Sequence, residues 1–157
     1  ILQRTPINYI SAVSEGTKAC SGIIIQFPFY AGIMGMMKFS GLVVVIAGWF
    51  VAVSSATTFP LLTFLSAGLV NLFVPSGGGQ MAVQGPIMVE AANTLHLSMP
   101  KTIMAISYGD QWTNMLQPFW ALALLGITRL KAREIVGYTM VVLVTSAIVF
   151  LLGLLLL

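Results

Sequence analysis

The sequence predicts an all-α, polytopic membrane protein, and three observations support this prediction. Hydrophobic residues make up 58% of the chain, charged residues make up 7%, and the mean hydropathy is +0.99. A soluble domain carries about 25% charged residues, so this chain has too few to cover a surface that faces water. The segment Ile135–Leu157 contains no charged residue, and about 20 apolar helical residues cross the ~30 Å hydrocarbon core of a bilayer.

The order of apolar stretches and breaks predicts about four spanning helices, a re-entrant helical hairpin and a broken helix in one membrane domain, residues 1–157. We expect an interfacial helix, then two spanning helices, the hairpin, the broken helix and a last spanning helix. The predicted bounds are 1–19 for the interfacial helix, 20–58 for the two spans, 59–94 for the hairpin, 100–127 for the broken helix and 134–157 for the last span.

The interfacial helix is predicted from a cap and a stripe. Thr5 can cap a helix, and Pro6 suits the first helical position. Ile7, Ile10 and Val13 then recur every three residues and form one apolar face, as in helices that lie at a membrane surface.

Several classes of protein are excluded or disfavoured. The net charge is +3, and the few basic residues form no stripe that would suit a nucleic acid. The first residue is Ile1 and no signal-peptide pattern follows it, so we interpret the sequence as part of a longer protein. The single cysteine, Cys20, predicts no disulfide within the chain and fits an apolar packing position.

Two segments combine glycine with hydrogen-bonding side chains inside apolar surroundings: Asn71–Gln80 and Tyr108–Asn114. Irregular backbone at membrane depth is tolerated where it is buried in protein or lines a wet cavity. Carriers use such breaks as binding sites, because the ends of half-helices present free backbone groups to substrates and ions. The pattern therefore favours a carrier.

The first break fits the tip of a re-entrant hairpin. The arm Phe59–Val74 would reach roughly 24 Å at ~1.5 Å per residue, which places the tip, Pro75–Gly79, near or past the middle of the bilayer. Two short full crossings are the competing interpretation.

The tip predicts an anion site. Gly77, Gly78 and Gly79 let backbone N–H groups approach an anion without obstruction, and the helix that starts near Gln80 directs its positive end to the same place. The alternative is a tight turn at Ser76 that uses glycines for positive φ.

The second break predicts a cation-coupling site. Asp110 lies about 13 Å below Lys101 by helical rise, close in depth to the hairpin tip, with Tyr108 beside it in sequence. Ionisable residues at such depth are costly and usually functional. The alternative is a structural carboxyl group that is hydrogen-bonded to Trp112 or Asn114.

Three segments resemble the bacterial short-chain fatty acid transporter family: Ile25–Gly35, Asn71–Gln80 and Val83–Ile87. The resemblance covers essentially the whole chain and corresponds to roughly the last third of a family member. The chain is also similar to the wider ion-transporter superfamily, whose members contain two inverted repeats, each with a re-entrant hairpin.

The resemblance implies an elevator-type carrier in the bacterial inner membrane, with substrates such as acetoacetate or butyrate and cation-coupled uptake by a proton or a sodium ion. No other cofactor, metal or nucleic acid is expected; the expected partners are the lipid bilayer, the missing N-terminal repeat or a partner chain, and further copies of the protein. The residues expected to bind substrate are Asn71, Ser76, Gly77, Gly78, Gly79, Gln80, Gln111 and Asn114; those expected to couple the cation are Asp110 and Tyr108.

Two other functions remain open at this point. Because the repeat partner is absent, the chain could be a structural or accessory segment that does not transport by itself. An intramembrane hydrolase would use Ser76 with His96 and Asp110, but a nucleophile needs a base within hydrogen-bond reach, and no G-x-S-x-G motif is present. We therefore expect no enzymatic activity.

Overall fold

The structure, a computed structural model, describes residues 3–156, except for the side chains at positions 19, 23, 118, 119 and 123. Within these residues it confirms the all-α prediction. In chain order the elements are α1 (Pro6–Ala19), α2 (Ser21–Phe39), α3 (Leu42–Ala52), α4 (Phe59–Asn71), α5 (Gly77–Thr94), α6 (Met99–Thr113), a 3-10 helix (Pro118–Ala121), α7 (Leu122–Thr128) and α8 (Ala132–Leu156).

The N-terminal helix begins where the sequence predicted. Thr5 has an extended backbone and accepts a hydrogen bond from the N–H of Asn8 at 3.2 Å. Pro6 occupies the first helical position. The N–H of a residue at this position has no partner within the helix, so the N–H that proline lacks is not missed there. Ile7, Ile10 and Val13 are all exposed, and the position of this helix at a membrane surface stays a prediction.

The next two helices are joined differently from the prediction of two separate spans. Residues Ile24–Phe39 and Leu42–Ala52 meet at a bend of 58°. Gly41 makes this bend with φ +74, a conformation that glycine adopts without a steric penalty. A bend of this size describes a broken span or a re-entrant loop rather than two antiparallel crossings, and α3 is too short, at about 17 Å, to cross a bilayer alone.

A helical hairpin follows, and its glycines lie in a helix rather than in a loop. Helix α4 ends at Asn71, and α5 begins at Gly77, so the connection is shorter than the predicted break Asn71–Gln80. The three glycines form the first turn of α5, with Ser76 as its N-terminal cap.

The second break begins later than predicted. Helix α6 continues through Tyr108, Asp110 and Gln111 to Thr113, so these residues have regular helical backbone. The interruption starts at Asn114 and lasts until the 3-10 helix that begins at Pro118. Proline restricts the residue before it and ends hydrogen bonding to its own nitrogen, which explains why the helix stops here and not among the polar residues.

Helix α8 is the one helix in the described residues that is by itself long and apolar enough to cross a membrane; the bent pair α2–α3 would be a second if it acts as one span. Most of α8 is exposed, and beyond its first turn most of the exposed side chains are apolar, including Val141, Val144 and Ile148. A helix with this surface suits lipid and not water.

Helix α4 lies at the centre of the packing, against α3, α5, α6 and α8. Its closest neighbour is α6, because two glycines face each other at their crossing. A Cβ atom added to Gly109 would lie 2.7 Å from Ala67 Cβ and 2.9 Å from the backbone nitrogen of Gly68. Small residues permit such close approach of helices in membrane proteins, and this approach brings the C-terminal ends of α4 and α6 together.

Candidate functional site

Three helix ends meet at one place: the C-terminal ends of α4 and α6 and the N-terminal end of α5. We call this region the junction; it comprises residues 66–71, 76–84 and 109–117. Asn71, the last residue of α4, is fully buried and connects two of the ends. Its Nδ2 atom lies 2.8 Å from the carbonyl oxygen of Asp110, 3.0 Å from Thr113 Oγ1 and 2.9 Å from Asn114 Oδ1.

Side chains from the other elements bond to carbonyl groups near the C-terminal end of α4, where the last four carbonyls have no partner within the helix. Gln80 Nε2 donates to Ala67 O at 2.9 Å, and the hydroxyl of Thr113 donates to Gly68 O at 2.9 Å. Gln117 Nε2 donates to the carbonyl of Asn71 at 2.8 Å. Because each donor comes from a different part of the chain, these bonds hold the hairpin against α6 and the second break.

The start of α5 presents the backbone donors that the sequence predicted. Ser76 Oγ accepts from the N–H of Gly79 at 3.2 Å, while the N–H groups of Gly77 and Gly78 belong to a first turn that offers no intrahelical acceptor. Gly77 and Gly78 are exposed, and a Cβ added to Gly78 would meet nothing within 4 Å. Gly78 therefore combines open space with the positive end of the α5 helix dipole.

The carboxylate of Asp110 lies beside this helix start. The position of a Cβ on Gly77 would be 3.4 Å from Asp110 Oδ2, so the acid lies within van der Waals distance of this first turn. Both residues line a cavity of about 270 Å³. The remaining lining residues are Gln80, Met81, Ile106, Ser107 and Gln111. The structure thus brings together the two predicted parts, the glycine-rich tip and Asp110.

A buried chain of amides extends from the junction into the hairpin. Gln80 Nε2 also donates to Gln84 Oε1 at 2.9 Å, and Gln84 Nε2 donates to Ser66 Oγ at 2.9 Å. All three side chains are at most 1% exposed. Buried polar groups of this kind are costly unless paired, so these hydrogen bonds fix the register of α5 against α4.

On its other side, the connection before α5 borders an apolar cavity. Tyr30 and Met34 of α2 line it together with Pro75 and Ser76, and its volume is about 260 Å³. The other lining residues are Phe27 and Ala31. This volume is below the 300–1,000 Å³ of sites for drug-sized ligands, so the cavity suits a small apolar group.

Tyr108 faces away from the junction, and Gln111 lies only at its edge. Tyr108 is two positions before Asp110, or about 200° around a helix of 3.6 residues per turn, and its ring stacks on Phe150 of α8 with centroids 4.8 Å apart. Gln111 is exposed at the rim of the Asp110 cavity. Trp112, the alternative partner of Asp110, instead donates from Nε1 to Leu143 O at 2.9 Å.

Ser76 and His96 lie at opposite ends of α5, whose 18 residues span about 27 Å. No base at that distance could activate the serine, so the geometry provides no support for a hydrolase.

Sequence reasoning missed several junction residues: Ser66, Gln84, Thr113 and Gln117. One signal was present, because Gln84 follows Gln80 by one helical turn in an apolar stretch, and residues at this spacing share a helix face. The pairing of Thr113 with Gly68 and of Gln117 with Asn71 joins positions 45 and 46 residues apart, and no local pattern indicates it.

With this geometry in place, comparison with known proteins decides the family. The sequence profile described as "Short chain fatty acid transporter" matches residues 1–157. The chain belongs to this family. Because the family is one of transporters, the expectation of a non-enzymatic membrane protein is confirmed.

Two curated relatives carry the name "Putative short-chain fatty acid transporter". The Escherichia coli protein is 47% identical over 154 residues, and the Haemophilus influenzae protein is 46% identical over 154 residues. These matches cover 98% of this chain but only 35% and 34% of the relatives. The chain therefore spans about a third of the length of the curated relatives it matches.

A more distant relative widens the comparison. An E. coli protein named "Putative basic amino acid antiporter YfcC" is 28% identical over 97 residues, which cover 60% of this chain and 17% of that protein. No solved structure shows a significant match to the chain.

Proposed function

We propose that the chain supplies the substrate-binding and cation-coupling part of a secondary carrier for short-chain carboxylates in the bacterial inner membrane. The observation that carries the proposal is the meeting of the exposed glycine turn of α5 with the carboxylate of Asp110, 3.4 Å from the position of a Cβ on Gly77. This arrangement places donors for an anion next to an acid that can take a cation.

The substrate carboxylate binds at the first turn of α5. The N–H groups of Gly77 and Gly78, the hydroxyl of Ser76 and the positive end of the helix favour a negative charge there. Gln111, at the rim of the neighbouring cavity, and Asn114, whose oxygen holds Asn71, complete the polar surroundings. Asn71 and Gln80 support the site from within, because their amide groups hold the helix ends in place.

The alkyl chain of the substrate enters the apolar cavity beside Ser76. Tyr30, Met34 and Pro75 provide its walls, and its volume of about 260 Å³ limits the length of chain that it holds. Selectivity for short chains follows from this limit, while the carboxylate is recognised at the helix start.

Asp110 couples the cycle to a cation. A substrate carboxylate at Gly77 would be repelled by an ionised Asp110, since both would share the same helix start. Two like charges at membrane depth are expensive, so substrate and a neutralising proton or sodium ion bind together. Tyr108 faces α8, which leaves Asp110 as the acid of the coupling site.

The hairpin is proposed to enter the bilayer and return. Helix α4 has 13 residues and is about 20 Å long, which is shorter than the ~30 Å hydrocarbon core. We propose that the chain forms one of two inverted repeats, with α8 and the bent pair α2–α3 among its spans.

A second candidate function follows from the length of the relatives. The chain covers 35% of the E. coli protein, so it could act as a structural or accessory segment that transports only with a partner chain or a second repeat. Expressing the segment with and without the remaining two thirds of a family member, and measuring uptake in liposomes, separates this candidate from a self-sufficient carrier.

The binding proposal is tested by Gly78→Leu in a complete family member that carries this segment. The larger side chain fills the open space at Gly78 and blocks the approach of a carboxylate. We expect butyrate to raise the thermal unfolding temperature of the parent protein and to have no effect on the variant.

The matched control is Gly16→Leu, since a side chain at this exposed helical glycine would also meet open space. It should retain the parent's response to butyrate. A well-folded Gly78→Leu protein that butyrate still protects would contradict the proposed site.

A further inference from the structure

Three oxygen atoms in the junction are buried and have no hydrogen-bond partner among the residues that the structure describes: Asn71 Oδ1, Gln80 Oε1 and Asp110 Oδ1. All three atoms are acceptors. Among the described residues, no buried side-chain donor lacks a hydrogen-bond partner. Buried polar atoms in folded proteins are normally paired, so three unpaired acceptors in one region indicate that a positively charged or proton-donating group belongs there.

The amide of Asn71 cannot be turned around to remove its unpaired oxygen. Its Nδ2 faces three acceptors, the carbonyl of Asp110, Thr113 Oγ1 and Asn114 Oδ1. Exchanging nitrogen and oxygen would direct an acceptor at the carbonyl of Asp110 and at the oxygen of Asn114. The hydrogen-bond partners therefore fix the orientation of this amide.

The amide of Gln80 is fixed in the same way. Its Nε2 donates to Ala67 O and to Gln84 Oε1, and Gln84 is itself oriented by its bond to Ser66. Gln80 is 1% exposed, yet it lines the same cavity as the carboxylate of Asp110. Asn71 is next to Gln80 and Asp110, because its Nδ2 donates to the backbone carbonyl of Asp110 at 2.8 Å.

An anion cannot satisfy these three oxygens, because it carries only acceptors of its own. A proton on Asp110 would give one donor, which pairs Asp110 with one of the two amide oxygens and leaves the other unpaired. A water molecule would donate to two of the three oxygens and would leave the charge of an ionised Asp110 uncompensated at membrane depth. A metal ion that prefers oxygen ligands can contact several oxygens at once.

The charge of the site favours a monovalent ion. Asp110 provides a single negative charge and the two amides are neutral, so a monovalent cation leaves the site without net charge at membrane depth, where uncompensated charge is costly. Nowhere in residues 3–156 do three His, Cys, Asp or Glu side chains form a metal-binding group.

We propose that the junction contains a sodium site whose protein ligands are Asp110 Oδ1, Gln80 Oε1 and Asn71 Oδ1. The inference rests on the proposed cation coupling and deepens it by naming the ion and by assigning Gln80 and Asn71 to the ion rather than to the substrate. Because the same residues hold the ends of α4, α5 and α6 together, sodium would stabilise the junction before substrate arrives.

The test uses a complete family member that carries this segment, purified without substrate. Its thermal unfolding temperature is measured in increasing NaCl, with choline chloride keeping the ionic strength constant and with KCl as a second comparison. We expect sodium alone to raise the unfolding temperature. In Asp110→Asn, which keeps the shape and removes the charge, the half-saturating sodium concentration should rise at least about 10-fold. The loss of a charged ligand should cost no less than the loss of a group that only orients a ligand, which lowers metal affinity about 10- to 100-fold.

Glu90→Gln is the matched control, because it makes the same chemical change at an exposed carboxylate of α5 and should respond to sodium like the parent protein. Equal effects of sodium and choline, or an unchanged sodium response in Asp110→Asn, would overturn the sodium site. If protons protect the parent in sodium-free buffer and fail to protect Asp110→Asn, the coupling ion is a proton and the sodium site is again overturned.

A butyrate titration in the same assay separates this inference from the proposed function. If butyrate protects the protein and sodium does not, the carrier proposal stands and the sodium site fails. If neither butyrate nor sodium protects a folded protein, both fail.

Discussion

The junction and helix α8 are both predicted at membrane depth, but they are built in opposite ways. Helix α8 is a continuous helix of 25 residues that carries no charged residue beyond its first turn, and its backbone groups pair with one another. The junction is made of interrupted helices, and its backbone groups are satisfied by side chains that are 13 to 46 residues away in sequence. The difference indicates that α8 tolerates change and serves as a wall, whereas the junction depends on specific partners.

The largest expected effect is the loss of the α4–α6 crossing in Gly109→Leu. A Cβ at this position would already lie 2.7 Å from Ala67 Cβ, and the rest of a leucine has no space. We expect destabilisation of about 3 kcal/mol or more, as for severe overpacking, and loss of the monodisperse peak in size-exclusion chromatography of the complete carrier.

The comparison variant is Gly137→Leu in α8, where a Cβ would meet nothing within 4 Å. It should elute like the parent protein. If both variants elute normally, the junction is less tightly packed than the structure indicates, and the contrast between the two regions is lost.

An intermediate effect is expected from Gln84→Met, which keeps the size of the side chain and removes both of its hydrogen bonds. Gln80 Nε2 would retain Ala67 O only, and Ser66 would lose its donor. Leaving buried polar groups unpaired costs about 1–3 kcal/mol, measurable as a lower thermal unfolding temperature.

Gln26→Met is the control for this change, since Gln26 lies on α2 and is exposed. A decrease in stability that is the same at both positions would mean that the buried amide chain contributes nothing specific to the hairpin.

The smallest effect is expected where the two regions touch. The ring centroids of Trp112 and Phe64 are 4.9 Å apart. Trp112→Phe keeps an aromatic ring at this position and removes the hydrogen bond to Leu143 O. That carbonyl also has its partner within α8, so the expected cost is only about 0.6–1 kcal/mol. Trp49→Phe, at an exposed ring of α3, should leave the unfolding temperature unchanged; an equal decrease in both would remove the link to α8.

Local patterns were sufficient for the elements that local forces determine. The cap at Thr5 and the apolar length of α8 are both determined by short stretches of sequence. The glycines that were predicted as a hairpin tip instead form the first turn of α5. The helical course of Tyr108–Thr113 was not predicted, because polar side chains suggested a break. Their hydrogen bonds and ring contacts to α4 and α8 allow polar residues to remain in a regular buried helix.

The candidate site was predicted in part for the same reason. Asp110 and the glycines stood out as single residues, and their estimated depths agreed, so their proximity could be expected. Which helix faces pack together decides the contacts of Asn71, Thr113 and Gln84. The facing glycines at positions 68 and 109 determine this packing of α4 against α6. Single-sequence periodicity contains no information about this crossing.

The amide nitrogen of Asn71 has two hydrogens but three acceptors within reach. At any moment one acceptor is therefore left without a hydrogen from Asn71. All three acceptors belong to the C-terminal end of α6, at Asp110, Thr113 and Asn114. The contact between the two helix ends is therefore redundant: if any one of the three acceptors is lost, Asn71 still has an acceptor for each of its two hydrogens.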